Sequence, residues 1–242
     1  MSAAPPRPAL DAVRDRIVAC TRCERLRSYC VRVGEVKRAA YRHDTYWARP
    51  VPGFGDPLAR VLVIGLAPAA HGANRTGRVF TGDGIGGSCD FLMRAMHAAG
   101  FASLPTSHHP DDGLQLTDAY IAAAVRCAPP DNKPSPAEIA ACRQHLDAEL
   151  AALPRVRVLV TLGRIAFEAT WRVLDARGLG VRPRPLFAHG TVHPVASGWS
   201  VIASYHPSRQ NTNTGRLTPP MMDAVFRQAR TTAERVSGAE SA

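Results

Sequence analysis

Four short apolar runs recur along the chain, separated by longer segments with helical periodicity. The clearest run is 60–66, a continuous β-branched stretch of the kind that forms a strand buried on both faces. The other three predicted strands cover 120–126, 156–162 and 200–205. Helices are predicted over 11–30, 89–100, 135–153, 164–174 and 221–236. The segment 31–58 is basic and is predicted to be irregular.

Strands that alternate with helices predict an α/β protein whose parallel sheet is covered by helices on both faces. In such folds the ligand binds beyond the carboxyl ends of the strands. Three candidate loops directly follow predicted strands, namely 67–87, 127–132 and 206–216. Because the carboxyl ends of parallel strands meet at one edge of the sheet, we expect these loops to form one cleft.

The charge of the chain favours a polyanionic partner. The 242 residues carry a net charge of +10, and only Lys37 and Lys133 of the 30 basic residues are lysines. Arginine suits phosphate because its planar fork binds two oxygens, so nucleic acid or an anionic membrane is favoured. A basic surface without such a partner stays open. No apolar run reaches the roughly 18 residues of a membrane helix, and no apolar signal core is found at the start.

Four of the six cysteines form two pairs. These are Cys20 with Cys23, in a C-x2-C arrangement, and Cys127 with Cys142, with fourteen residues between them. Disulfides are not expected without an export signal, and the thioredoxin-like context of a redox C-x2-C is missing. Four thiolates suit tetrahedral zinc or an iron–sulfur cluster, and spacing does not separate the two. Scattered core thiols are the competing interpretation. Cys30 and Cys89 belong to no pair and are not expected to be ligands.

Side chains with candidate chemistry stand in two of the three loops. The small residues of 67–87 let the backbone approach a ligand closely, although the loop lacks a Walker lysine and a G-x-G-x-x-G pattern. Its one carboxylate, Asp83, is either a turn former or a catalytic group. Phe80 is either a core anchor or a stacking surface for a planar base. In 206–216, His206 stands among donors that can hold a phosphate backbone.

Three stretches together resemble the iron–sulfur type of uracil-DNA glycosylase, specifically its type-b group (family five). They are Gly65–Arg78 with Phe80-Thr-Gly-Asp83, Val125-Arg-Cys-Ala-Pro-Pro130 with Asn132, and Ser204-Tyr-His-Pro-Ser208. The resemblance extends from Cys20 to about Leu217. It implies a three-layer αβα fold with a central four-stranded parallel sheet, and removal of deaminated bases from DNA. It also implies a [4Fe–4S] cluster held by Cys20, Cys23, Cys127 and Cys142.

The same resemblance suggests roles for individual residues. The implied catalytic residues are Asp83, His206 and Asn132, and the implied substrate-binding residues are Gly65, Ala67, Phe80, Ser208 and Arg209. Related groups activate water with a polar residue in the first motif, where this chain has Leu66-Ala67-Pro68, so Asp83 is the expected substitute. Alanine replaces the uracil-reading asparagine of sister groups near Ala123, with Asn132 close by. A pocket with fewer reading groups should accept hypoxanthine and modified cytosines besides uracil.

These observations predict a monofunctional glycosylase that flips a damaged base out of DNA and hydrolyses its N-glycosidic bond, leaving an abasic site. Strand scission through a Schiff base needs an amine, and neither lysine lies in the three motifs. Two other classes stay open. One is a metal-dependent phosphoester hydrolase with Asp83, His71 and His206 as ligands. The other is a non-catalytic nucleic-acid-binding module with a four-cysteine zinc site.

The predicted organisation is a single domain over 11–236 that includes the N-terminal cluster-binding segment. A disordered N-terminus at 1–10 and a tail at 237–242 flank it. The expected partner is DNA, with no membrane, and the expected location is the bacterial cytoplasm in association with the nucleoid. A monomer is predicted because no long apolar seam is evident.

Overall fold

The computed structural model describes residues 6–239, and the side chains of 7–235. The strands are β1 (Phe54–Gly55), β2 (Val61–Gly65), β3 (Ala119–Ala123), β4 (Val158–Leu162), β5 (Val192–Pro194) and β6 (Ser200–Ser204). The α-helices are α1 (Pro6–Val18), α2 (Glu24–Val36), α3 (Ala73–Thr76), α4 (Ser88–Ala98), α5 (Pro136–Ala152), α6 (Arg164–Ala176), α7 (Arg209–Asn213) and α8 (Pro219–Ala239). Short 3-10 turns cover Ala39–Tyr41 and Pro130–Asn132.

The sheet has the order β1-β3-β2-β4-β6-β5. Its four central strands, β3, β2, β4 and β6, run parallel and confirm the predicted four-stranded parallel sheet. Two edge strands, β1 and β5, pair antiparallel and were not predicted from the sequence. Each spans only two or three residues, so an alternation of apolar and polar residues cannot be recognised in the sequence.

Alternate residues of the central strands supply two separate cores. Val61, Val63 and Ile121 point to one face, where they pack with residues of α4 and α8 such as Met93 and Phe226. Leu62, Ile64 and Tyr120 point to the other face, where α1, α5 and α6 cover them. Every residue of β2 and β3 is buried, which explains their continuous apolar composition. The result is the predicted three-layer αβα arrangement.

The N-terminal segment differs from its prediction. The helix expected over 11–30 is two helices, α1 and α2, and the break between them carries Cys20 and Cys23. Residues 6–10, expected to be disordered, belong to α1, because the buried side chain of Leu10 anchors this turn against the sheet-facing core. Residues 1–5 lie outside the described part of the chain, as do 240–242 of the predicted tail, whereas 237–239 continue α8.

The helix α5 begins where the sequence predicts. The Ser135 hydroxyl accepts from the Glu138 amide at 3.2 Å, and the Glu138 carboxylate accepts from the Ser135 amide at 2.7 Å, which completes a capping box. Glu138 also pairs with Arg25 of α2 at 2.7 Å. This contact ties the start of α5 to the segment that follows Cys23.

Candidate active site

A cavity of about 730 Å³ opens beyond the carboxyl ends of the parallel strands. The loops after β2, β3 and β6 all contribute to its wall, as expected for a parallel sheet. Seven residues singled out from the sequence line it: Ala67, Phe80, Asp83, Asn132, His206, Ser208 and Arg209. Gly65 lies behind the wall instead. The three candidate loops therefore form one cleft.

Phe80 forms a half-buried surface between the ends of β2 and β6. A Cβ at Gly65 would lie 2.7 Å from Cε2 of Phe80, so only glycine lets the ring rest against the end of β2. Phe80 also stacks on His206, with ring centroids 5.9 Å apart and planes inclined by 30°. The backbone of Phe80 is left-handed, with φ of 49°. Gly65 thus supports the cavity by supporting this ring.

His206 is held in its neutral form. Burial lowers the pKa of its imidazole from 6.5 to about 4, and the nearby Asp83 carboxylate only partly opposes this shift. The backbone is fixed as well, because the His206 carbonyl accepts a hydrogen bond from Nδ2 of Asn211 at 2.8 Å. Ser208 caps the short helix α7 by accepting from the Asn211 amide at 3.4 Å. A neutral imidazole in this position can donate one hydrogen bond into the cavity.

Asp83 is oriented by the start of α4. Its Oδ1 accepts from the Cys89 amide at 3.2 Å. Gly87 lies directly beneath the carboxylate, since a Cβ there would come within 2.6 Å of Oδ1. The pKa of Cys89 is raised by burial and then by Asp83, so this thiol at the cavity wall stays protonated. Asp83 is therefore a positioned carboxylate that faces the cavity and lies near His206.

The mouth of the cavity carries polar and basic groups. Asn132 is exposed there, at the end of a 3-10 turn in which its φ is 57°. Ala123, at the end of β3, forms the neighbouring wall. The sequence analysis missed a further group in the wall, Tyr29, Arg38 and Tyr41. Tyr29 lies in the helix predicted over 11–30, and Arg38 and Tyr41 lie in the segment 31–58 predicted to be irregular. The combination of aromatic and basic side chains is the one signal that could have identified them.

Comparison with known proteins identifies the family. The model of a protein family described as the Uracil DNA glycosylase superfamily matches residues 52–230. This range includes every residue that lines the cavity apart from Tyr29, Arg38 and Tyr41. The chain belongs to the uracil-DNA glycosylase superfamily. It is similar to proteins called type-5 uracil-DNA glycosylase, which places it in the predicted type-b group.

The similarity to type-5 proteins is high over nearly the full chain. The protein of Thermus thermophilus is 51% identical over 220 residues, covering 91% of this chain and 96% of that protein. That of Pyrobaculum aerophilum is 45% identical over 224 residues, covering 93% of each. A type-4 uracil-DNA glycosylase of Archaeoglobus fulgidus is only 31% identical over 163 residues, covering 65% of this chain and 70% of that protein. The type-5 members of the superfamily are thus much more similar to it than this type-4 member is.

The four paired thiols lie in one region of the protein, next to the wall of the cavity at Ala67 and Ala70. Cys127 and Cys142 belong to one buried cluster with Leu26, and Cys23 packs against it. Burial, then the charges of Cys142, Cys127, Glu138 and Cys20, raises the pKa of Cys23 to about 11, so the Cys23 thiol interacts with the other three. Among the described side chains, no set of three or more His, Cys, Asp or Glu groups is placed to hold a metal ion.

The arrangement does not favour the metal-dependent hydrolase. That hypothesis needs Asp83, His71 and His206 as ligands, and within the described side chains no such metal-holding set is found. Nδ1 of His71 is already engaged by the Tyr46 hydroxyl at 2.9 Å. Burial, together with Arg38 and Arg75, lowers the pKa of His71. In this superfamily member His71 is therefore a neutral wall residue of the cavity.

Proposed function

We propose that the protein is a DNA glycosylase of base-excision repair that releases uracil and leaves an abasic site. The observation that carries the proposal is the convergence of Phe80, Asp83 and His206 on one cavity in a member of the uracil-DNA glycosylase superfamily. A flipped pyrimidine needs a stacking surface, a hydrogen-bond donor and a positioned water. Phe80 supplies the stacking surface, His206 supplies the donor, and Asp83 positions the water.

Binding begins with the base leaving the duplex, at a cost of a few kcal/mol. The flipped base enters the cavity and stacks on the accessible part of Phe80. Asn132 at the mouth positions its polar edge, and Ala67 and Ser208 bound the space around it. Arg209, exposed at the rim, contacts the phosphate backbone by a charge-assisted hydrogen bond.

Cleavage breaks the bond between the base nitrogen and C1′ of the deoxyribose. The bonding electron pair goes to the base, which develops negative charge, while the sugar develops positive charge. Asp83 stabilises the cationic sugar and orients the water that adds to C1′, taking its proton. His206 donates a hydrogen bond to the anionic base. Because His206 is neutral, it is too weak an acid to protonate the base and stabilises the anion through a hydrogen bond.

We further propose a base range wider than uracil. The walls contributed by Ala67 and Ala123 carry no side-chain hydrogen-bonding group. Hypoxanthine and modified cytosines therefore meet no side-chain hydrogen-bonding group on this part of the wall that would reject them. Neither Lys37 nor Lys133 lines the cavity. The protein accordingly hydrolyses the bond without forming a Schiff base with the sugar.

The test uses duplexes with a single uracil, hypoxanthine or 5-hydroxymethylcytosine in an otherwise identical sequence. The purified protein is expected to release uracil in the presence of EDTA, with strand breaks appearing only after alkali. Release of hypoxanthine at a comparable rate supports the wider range, and release of uracil alone contradicts it. A borohydride-trapped adduct would contradict hydrolysis without a Schiff base. If no base is released from any duplex, the glycosylase proposal is wrong.

We propose that Cys20, Cys23, Cys127 and Cys142 hold a [4Fe–4S] cluster. The donor set fits, because four thiolates are the usual ligands of such clusters. Zinc bound by the same four thiolates is the competing assignment, because tetrahedral zinc also takes four cysteine ligands. When bound, the cluster would join the α1–α2 break, the end of β3 and α5.

The cluster is tested by iron and sulfide analysis and the visible spectrum of anaerobically purified protein. Cys127→Ser and Cys142→Ser are expected to lose the brown colour and most of the iron. Cys89→Ser, which changes a buried thiol outside the set, is the matched control and should keep both. A colourless wild-type protein with one zinc would contradict the proposal.

The remaining predictions concern the setting of the protein. Within residues 6–239, no helix combines the length and apolar character that crossing a bilayer requires. We propose DNA as the partner, on the basis of the superfamily and the net charge of +10. The monomeric state, the cytoplasmic, nucleoid-associated location and the single domain over 11–236 stay predictions.

A further inference from the structure

One part of the cavity wall comes mainly from outside the region shared with the superfamily. Tyr29, Arg38 and Tyr41 line the cavity together with His71, but the first three precede residues 52–230, the part of the chain that matches the superfamily. The proposed cleavage of the glycosidic bond needs none of these four side chains. Their presence in the wall therefore asks for a role of its own.

Arg38 brings a positive charge to this wall without an acidic partner. Its side chain is exposed, and it forms no hydrogen bond or ion pair with the described residues. Among the residues that line the cavity only Asp83 and Asp131 are acidic, and neither is paired with Arg38. Arg75, by contrast, is fully engaged, since it pairs with a carboxylate and donates to two carbonyl groups. The guanidinium of Arg38 is thus available to an anionic ligand.

His71 presents an N–H group whose position is fixed. Its Nδ1 lies 2.9 Å from the hydroxyl of Tyr46, a side chain that is only 9% exposed. Nδ1 is the one acceptor that this hydroxyl has among the described residues, so the hydroxyl donates to it rather than leaving its proton unpaired. Because burial lowers the pKa of His71, the ring is neutral and its single proton is on Nε2. No described residue accepts from Nε2, which leaves this donor free for a ligand.

Arg75 joins the two segments that carry Arg38 and His71. Its guanidinium lies 4.0 Å from the centroid of the Tyr41 ring, pairs with Asp44 at 2.6 Å and donates to the His71 carbonyl at 3.0 Å. After burial, the charge of Arg38 is the next cause of the lowered pKa of His71, so the guanidinium lies near the imidazole. A cation and a neutral donor therefore stand together at one place in the cavity wall.

We infer that Arg38 and His71 bind one of the two phosphates that flank the flipped nucleotide, with Tyr46 and Arg75 as positioning residues. The inference rests on the proposed glycosylase function and extends it to the path of the DNA strand. A phosphate oxygen accepts from a guanidinium and from a neutral N–H, and the bond to the charged group is the stronger one. Arg38 is exposed, which suits a phosphate that stays at the mouth while the base enters the cavity. Phosphate contacts hold the strand in register without reading its sequence, so this pair serves every base that the cavity admits.

The first experiment measures affinity for a duplex with a tetrahydrofuran abasic site, in which an uncharged methylphosphonate replaces the phosphate on one side or the other. At one of the two positions, the replacement is expected to weaken wild-type binding about tenfold and the binding of Arg38→Gln less than about twofold, since that contact is already lost. Arg42→Gln is the matched control, because Arg42 is an exposed cation of the same segment that does not line the cavity. It should respond like wild type. If Arg38→Gln is as sensitive as wild type at both positions, the inference is wrong.

The contribution of His71 is tested on the same duplexes. His71→Leu removes the N–H and should lose sensitivity at the same phosphate as Arg38→Gln does, whereas His71→Gln keeps a donor near the position of Nε2 and should retain most of the affinity. Arg38→Gln should also reduce the slope of log affinity against log salt concentration by about 1, as the loss of one phosphate contact does. A slope unchanged from that of Arg42→Gln would contradict a phosphate contact.

Single-turnover release of uracil and hypoxanthine separates this inference from the proposed function. Arg38→Gln is expected to slow release of both bases by the same factor at subsaturating protein. A loss confined to one base would show that the pair reads the base, which overturns the phosphate assignment. If wild type releases no base but its binding shows the expected dependence on one phosphate, the glycosylase proposal fails and the phosphate site stands.

Discussion

The ring of Phe80 stacks on the imidazole of His206, with centroids 5.9 Å apart. Phe80 follows β2 and His206 follows β6, two strands separated in the sheet by β4. Because both loops leave the same edge, the surface on which a base would stack and the group that would donate to it are held by one contact. Gly65 completes this unit by leaving room for the ring.

Asp83→Asn is expected to lower single-turnover uracil release about 100-fold or more, because an amide neither takes the proton of water nor stabilises a cationic sugar as well. Affinity for a duplex with a non-cleavable uridine analogue should stay close to wild type, since Asp83 lies in the cavity and not on the phosphate path. Asp11→Asn, on an exposed position of α1, serves as the control. Equal losses of affinity and cleavage would make Asp83 a structural residue.

Gly87→Ala tests the placement of that carboxylate. The φ of Gly87 is −79°, so alanine is tolerated by the backbone, but its Cβ would lie 2.6 Å from Oδ1 of Asp83. The carboxylate must shift, and a displacement near 1 Å costs roughly 100-fold in rate. In the Asp83→Asn background the same change should have little further effect on the cleavage rate. Additive losses would show that Gly87 acts independently of Asp83.

His206→Asn is expected to alter how stability depends on pH. The folded protein holds the pKa of His206 at about 4, against 6.5 for an ordinary histidine. Between these values the unfolded chain binds a proton that the folded chain does not, so stability present above pH 6.5 is lost as the pH falls towards 4. The Tm difference between pH 7 and pH 5 should therefore shrink in His206→Asn. The exposed His43→Asn should leave it unchanged.

The same His206→Asn variant should also cleave uracil roughly 100-fold more slowly at pH 7, the usual effect of removing one donor to an anionic leaving group. Cleavage at the wild-type rate would exclude His206 from the reaction. Single-turnover assays at saturating protein separate this effect from any loss of DNA binding.

Arg126→Met is expected to destabilise the fold by about 3–5 kcal/mol. Arg126 donates to Glu149 at 2.6 Å, and both side chains are only 1% exposed, so the substitution leaves a buried carboxylate without its cation. Urea denaturation measures the loss. Arg182 pairs with Asp175 and is itself 69% exposed. Arg182→Met should therefore lower the free energy of unfolding by less than about 1 kcal/mol. Similar losses of unfolding free energy in the two variants would contradict the prediction that the buried pair contributes more than the exposed one.

Local patterns of the sequence were sufficient for the central sheet and for the residues of the cavity. The β-branched runs at β2 and β4 are buried on both faces, so their composition alone reports a parallel sheet. Parallel strands bring the loops that follow them to one edge, which is why residues after β2, β3 and β6 could be grouped without coordinates. The capping box of α5 is likewise a short-range signal.

The sequence by itself determined the parallel central sheet, the two cysteine pairs and most of the cavity wall. Each of these depends on residues close in the chain or on the common edge of parallel strands. Only the tertiary structure decided the short edge strands, the break between α1 and α2, and the contribution of Tyr29, Arg38 and Tyr41. It also decided that Gly65 supports Phe80. These features depend on which distant segments pack together. The periodicity of apolar residues indicates that a side chain is buried, but it does not indicate which segment covers it.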